Sequence, residues 1–83
     1  MNKGTALITG ASSGIGEELA RYFSNQGFDL IITARREANL QTLASELSGN
    51  VTVISCDLAD PAGVDTLVNA ISEHTVDVLV NNA

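Results

Sequence analysis

Thr9-Gly10-Ala11-Ser12-Ser13-Gly14-Ile15-Gly16 decides the fold of this chain. On one side lies a β-branched run, Thr5-Ala6-Leu7-Ile8-Thr9, which reads as a buried strand ending at Gly10. On the other side, Ile15, Leu19, Tyr22 and Phe23 recur at helical spacing, predicting a helix from Gly14 to Gln26 with one apolar face. Gly27 stands where that helix would want a left-handed C-cap. A glycine-rich loop between a strand and a helix N-terminus is where free N–H groups and the positive dipole end can meet a phosphate. Gly10 permits the tight exit from the strand, Gly14 removes a side chain where a pyrophosphate would approach, and Gly16 lets the helix lie close on the sheet. Ser12 and Ser13 add hydroxyl donors. The spacing is Gly-x-x-x-Gly-x-Gly rather than the more familiar Gly-x-Gly-x-x-Gly. An ordinary glycine-rich turn has the same letters; the serines and the alternation that follows favour the phosphate reading.

Outward from the loop, strands and helices alternate. Leu30-Ile31-Ile32-Thr33 reads as a second strand, and Leu40, Leu43, Ala44 and Leu47 mark a second helix stopped by Ser48-Gly49-Asn50. Val51-Thr52-Val53-Ile54-Ser55 is a third strand. Asp60-Pro61 is an N-cap followed by proline at the first helical position, and Val64, Leu67, Val68 and Ile71 give the third helical stripe. Val76 to Val80 reads as a fourth strand. The pattern βαβαβαβ, with strands apolar on both faces, predicts an α/β fold with a parallel sheet. Right-handed crossovers lead to the order 3-2-1-4, with a switch-point crevice at the carboxyl ends of strands one and four.

Composition narrows the classes. With 83 residues there is room for one small domain or part of one. Apolar content of 45% excludes a disordered tail. Four basic against ten acidic side chains give a net charge of −6, which argues against nucleic acid or an anionic membrane surface as a partner. The lone cysteine, Cys56, excludes a disulfide framework and a cysteine-based zinc site. No apolar run approaches the ~18 residues of a membrane span, and the first one breaks at Gly10, too early for a signal peptide. A reducing compartment, most simply the cytoplasm, is the expected location.

Two other motifs overlap the loop. Gly10-Ala11-Ser12-Ser13-Gly14 satisfies the Gly-x-Ser-x-Gly nucleophile elbow, and Ser12, Asp57 or Asp60, and His74 imitate a hydrolase triad in order. His74, however, precedes a strand while Ser12 follows one, and a strand separates its two ends by roughly 17–20 Å. His74 reads instead as a solvated residue near a helix C-terminus. A P-loop is excluded because no Gly-Lys-Ser/Thr follows.

With the loop placed, the chain resembles the start of a short-chain dehydrogenase/reductase. Residues Thr9 to Gly16 are similar to that family's T-G-x-x-x-G-x-G cofactor motif without departure, and Cys56-Asp57-Leu58 resembles its D-[LV] element after the third strand. Val80-Asn81-Asn82-Ala83 resembles its N-N-A-G motif up to the alanine. The resemblance covers the whole chain but only about the opening third of the family's domain. It implies dinucleotide binding at Gly10, Ser12, Ser13, Gly14, Ile15, Gly16, Asp57, Leu58, Asn81 and Ala83, with Asp57 on the adenine amino group. The residues also permit other roles: Asp57 could serve an Asx-turn, and Asn81 could bond adjacent loops instead of the ribose.

An NAD site calls for an acid about 20 residues past the glycines, at the end of the second strand. That place reads Thr33-Ala34-Arg35-Arg36-Glu37. Ala34 stands at the family's acid position, and Arg35 stands where NADP-preferring members present a guanidinium to the 2′-phosphate. Half of the chain's four basic side chains sit at Arg35 and Arg36, and arginine can grip a phosphate bidentately. NADP is therefore the expected cofactor, with Glu37 keeping NAD as the alternative and Arg36 available to stack on adenine.

The family's Ser, Tyr and Lys catalytic set, the last two spaced Tyr-x-x-x-Lys, is missing: Tyr22 and Lys3 are the only residues of their types. The expectation is that residues 1–83 form the N-terminal, cofactor-binding part of a Rossmann domain, truncated before its catalytic region, from an NADP-dependent oxidoreductase. The alternative is a non-enzymatic nucleotide-binding or self-associating fragment. An open fourth strand and an incompletely covered sheet face point to self-association.

Overall fold

The computed structural model describes residues 3–12, 14–47 and 49–81. The elements run β1 (Thr5–Thr9), α1 (Gly14–Asn25), β2 (Asp29–Ala34), α2 (Glu37–Glu46), β3 (Val51–Ser55), α3 (Pro61–Ile71) and β4 (Val78–Val80). All pairings are parallel, and the sheet order is β3-β2-β1-β4, as the alternating pattern predicts.

Period-2 alternation divides the core between the two faces of the sheet. Ala6, Ile8, Leu30 and Ile32 pack with Ala20 of α1 and with Leu40 and Leu43 of α2. Leu7 and Ile31 turn the other way and meet Leu67 of α3. Ile8, Leu30, Ile31, Ile32 and Leu40 are the large apolar side chains removed completely from water, each contributing about 1.5–3 kcal/mol relative to exposure. Buried Thr33 places its hydroxyl oxygen 3.1 Å from the Cys56 sulfur.

Helix α1 ends as Gly27 predicts. Its φ is 95°, the Phe28 N–H donates to the Phe23 carbonyl (3.1 Å), and the Gly27 N–H donates to Ser24 (3.1 Å). That pair of bonds is a Schellman motif. Asp60 caps α3 by accepting from the Ala62 N–H at 3.0 Å. Arg21 ties α1 to α2 through Glu46 and bonds Glu17 one turn earlier on its own helix, and both hydrogen bonds raise its pKa further.

Three expectations need correction. The buried face of α1 is Gly16, Ala20 and Ser24, because small residues let the helix approach the sheet. Leu19 and Phe23 flank that face, whereas Ile15 is 70% and Tyr22 57% exposed. In α3 only Leu67 of the expected stripe is buried; Ile71 is partly covered, and Val64 and Val68 stay exposed. Finally, β4 is shorter than Val76 to Val80. The Asp77 N–H donates to the Thr5 carbonyl (2.9 Å), and its carboxylate accepts from the Thr5 N–H (2.8 Å). A side chain thus takes one ladder position, and regular pairing begins only at Val78 opposite Ala6.

Candidate functional site

Three loops converge at the carboxyl ends of β1, β2 and β3. Together they line a cavity of about 480 Å³. Gly10 and Ser12 come from the first loop, Thr33 to Arg36 from the second, and Cys56 to Ala59 from the third. Backbone bonds fix this convergence. The Ala11 N–H donates to the Thr33 carbonyl (3.1 Å), and the Cys56 N–H donates to the Ala34 carbonyl (3.0 Å). Gly10 has φ 64°, a left-handed conformation that disfavours any side chain.

The cationic wall comes from the shortest connection. Only Arg35 and Arg36 separate β2 from α2. Both side chains are exposed, and neither has an ion-pair partner among the described residues. Opposite them, Asp57 accepts from the Ala59 N–H through one carboxylate oxygen at 2.9 Å. The Asx-turn reading of Asp57 is therefore realised, while its second oxygen keeps no partner among the described residues. Behind it, a Cβ on Gly63 would lie 1.9 Å from the Asp57 carbonyl oxygen, so α3 begins in close contact with this loop.

The structure thus brings Gly10, Ser12, Arg35, Arg36, Asp57 and Leu58 into one cavity. Gly14 and Ile15 line a separate groove along α1 with Glu18, Leu19 and Tyr22, and Gly16 is buried against the sheet. Asn81 sits just past β4, where its side-chain oxygen lies 3.1 Å from the Thr9 hydroxyl. Its bond to an adjacent element is therefore present. Ser13 and Ala83 lie outside the described residues. His74 lines a groove at the opposite, amino end of the sheet with Thr5, Asp29 and Asn50, so Ser12 and His74 cannot act together.

Sequence reasoning missed the lining roles of Thr33 and Cys56 and the Thr9–Asn81 link. Strand-end placement could have flagged Cys56, which immediately precedes Asp57.

Chemically, the cavity is lined by two arginines, an aspartate and a glycine of the loop before α1, a set of residue types suited to a phosphorylated nucleotide. Among the described residues, a Cβ on Gly14 would meet no atom within 4 Å outside its chain neighbours and its own helix backbone, which leaves room at the helix start for a ligand.

Known proteins agree with this architecture. The NADP-dependent 3-hydroxy acid dehydrogenase YdfG of Escherichia coli is 37% identical over 79 residues, covering 93% of this chain and 32% of its own. A metagenomic short-chain oxidoreductase solved in complex with NADP superposes with a TM-score of 0.89 at 32% identity, over 100% of this chain and 40% of the other. The 3-ketoacyl-(acyl-carrier-protein) reductase of Brucella melitensis, complexed with NADH, gives 0.86 at 37% identity, over 99% and 35%. The chain spans about a third of the length of the curated relatives it matches. Since residues 4–83 match the short chain dehydrogenase family model, the chain belongs to that family.

Proposed function

We propose that the cavity at the carboxyl ends of the strands binds a nicotinamide dinucleotide, NADP(H) in preference to NAD(H), and that the chain is the cofactor-binding part of an oxidoreductase. One observation carries the NADP preference: Arg35 and Arg36, without ion-pair partners among the described residues, line the same cavity as Gly10, Ser12 and Asp57. In this reading the loop from Gly10 to Gly16, Ser13 included, meets the pyrophosphate with its N–H groups, including that of Ile15. Arg35 grips the 2′-phosphate and Arg36 flanks the adenine. Asp57 accepts from the adenine amino group beside Leu58. Asn81 bonds the cofactor ribose, and Ala83 is a further proposed cofactor contact. The bound nicotinamide supplies the hydride.

Two observations keep NAD as the second reading. Glu37 opens α2 beside the arginines, and the Brucella neighbour holds NADH. Titrating NADPH and NADH into the wild type and Arg35→Ala tests the choice. The wild type should bind NADPH more tightly, and Arg35→Ala should lose about 1.5–3 kcal/mol for NADPH alone. Equal or tighter NADH binding by the wild type would refute the assignment.

Residues 1–83 hold no Tyr-x-x-x-Lys, so binding without turnover is proposed for this stretch, as the N-terminal part of its dinucleotide-binding domain. The non-enzymatic alternative is a self-associating nucleotide binder. Among the described residues no helix is long and apolar enough to cross a membrane. A cytoplasmic location is proposed from the free thiol of Cys56; recovery of the protein from a secreted fraction would count against it. The −6 charge disfavours nucleic acid and anionic membranes. Association of the chain with itself is proposed from the half-paired β4, which has β1 as its partner strand.

A further inference from the structure

The two-residue connection Arg35-Arg36 has few restraints. The last backbone bond between β2 and the β3 side is the Cys56 N–H to the Ala34 carbonyl (3.0 Å). One residue further, the Arg35 carbonyl accepts from a side chain instead: the Ser55 hydroxyl, at 3.1 Å. Beyond that, Arg36 is extended (φ −101°, ψ 102°), makes no side-chain cap bond, and its carbonyl accepts only a long bond from Leu40 N–H at 3.3 Å. Ser55 is exposed and is not itself part of the cavity wall. Its hydroxyl nevertheless holds the carbonyl of Arg35, a residue that lines the cavity.

We infer that Ser55 is a positioning residue for dinucleotide selectivity. By holding the Arg35 carbonyl, it sets the direction in which the Arg35 side chain leaves the end of β2, and so aligns the guanidinium with a 2′-phosphate. The inference rests on the proposed role of Arg35. A bidentate contact is lost by small misorientation, whereas the proposed pyrophosphate and ribose contacts, and that of Asp57 on the adenine, arise from other loops. Removing the hydroxyl therefore weakens NADP binding selectively. Threonine keeps a hydroxyl at the same atom and suits a strand.

The test is a titration of the full chain with NADPH and with NADH, using wild type, Ser55→Ala, Ser55→Thr and Arg35→Ala. Ser55→Ala should bind NADPH about three- to tenfold more weakly, the scale of one hydrogen bond, with NADH affinity and melting temperature unchanged. Ser55→Thr should restore the wild-type NADPH/NADH ratio. A merely structural role would lower both affinities together and lower the melting temperature, and that result overturns the inference. So does an unchanged ratio in Ser55→Ala where Arg35→Ala lowers it, which leaves the Arg35 assignment standing. An unchanged ratio in Arg35→Ala overturns the phosphate assignment itself, and the role of Ser55 with it.

Discussion

Among the described residues, a methyl group built on Gly14 would touch no atom within 4 Å outside its chain neighbours and its own helix backbone, and the residue begins α1 without a left-handed φ. Packing therefore gives no reason for glycine there, whereas a phosphate at the helix start does. Gly14→Ala should leave the thermal midpoint of the chain equal or slightly higher, since alanine is the better helix former by about 0.5–1 kcal/mol. Affinity for NADPH should fall about tenfold, or ~1.4 kcal/mol. Undiminished affinity in a titration would show that no phosphate approaches Gly14. Gly10, Arg35 and Asp57 were legible in the sequence for one reason: each follows a strand, so topology alone carries it to the same end of the sheet. The Ser55–Arg35 and Thr9–Asn81 links were not legible. One runs from a side chain to a backbone carbonyl and the other between two side chains, both at the ends of neighbouring strands, and the register that brings them together is set in three dimensions.

The starts of α2 and α3, both near the cavity, differ in chemistry. Asp60 caps α3 through the Ala62 N–H, while α2 begins at Arg36 with no side-chain cap. A cation there opposes the helix dipole, relieved only by Glu37 in the first turn. Stability at this helix start has been given up where the proposed site has a use for positive charge. Arg36→Ser should supply the missing cap and stabilise the chain by about 0.5–1 kcal/mol in urea denaturation, while weakening NADPH binding. Stabilisation with unchanged NADPH affinity would remove Arg36 from the site. Elements were readable from periodicity and punctuation, including the Gly27 and Asp60 caps. Helix faces were less so. Gly16, Ala20 and Ser24 form the true contact face of α1, and a count of large apolar residues passes over them. Asp77 likewise shortened β4 by spending its side chain on Thr5, a competition with the backbone ladder that alternation cannot reveal.

Across the whole molecule, the one tyrosine and the one lysine of the sequence lie away from the proposed cofactor cavity. Tyr22 lies on the outer groove of α1, and Lys3 precedes β1, bonded through its backbone to Gly27. No tyrosine-lysine pair can donate a proton to a carbonyl oxygen, so the 83-residue chain should not oxidise NADPH in the presence of ketones or aldehydes. Turnover that survives repurification from trace reductases would disprove this. The same molecule leaves apolar surface uncovered around its last strand. Of the described strands only β1 pairs with β4, so its other edge presents backbone N–H and C=O groups able to recruit a further strand. Leu79, at the middle of β4, is 64% exposed, and on α3 Val64 and Val68 are exposed as well. A second copy paired through β4 would satisfy the edge and cover Leu79 together. Sedimentation velocity should therefore find the 83-residue chain as a dimer or larger species. Leu79→Lys should shift it toward monomer, because a charge at that position opposes burial without disturbing Val78 and Val80, which pack against the α1 side of the core. A compact wild-type monomer whose β4 amides resist hydrogen exchange would exclude association through this edge. An oligomer unchanged by Leu79→Lys would move the interface away from β4, to the groove of Ile15 and Tyr22 on α1.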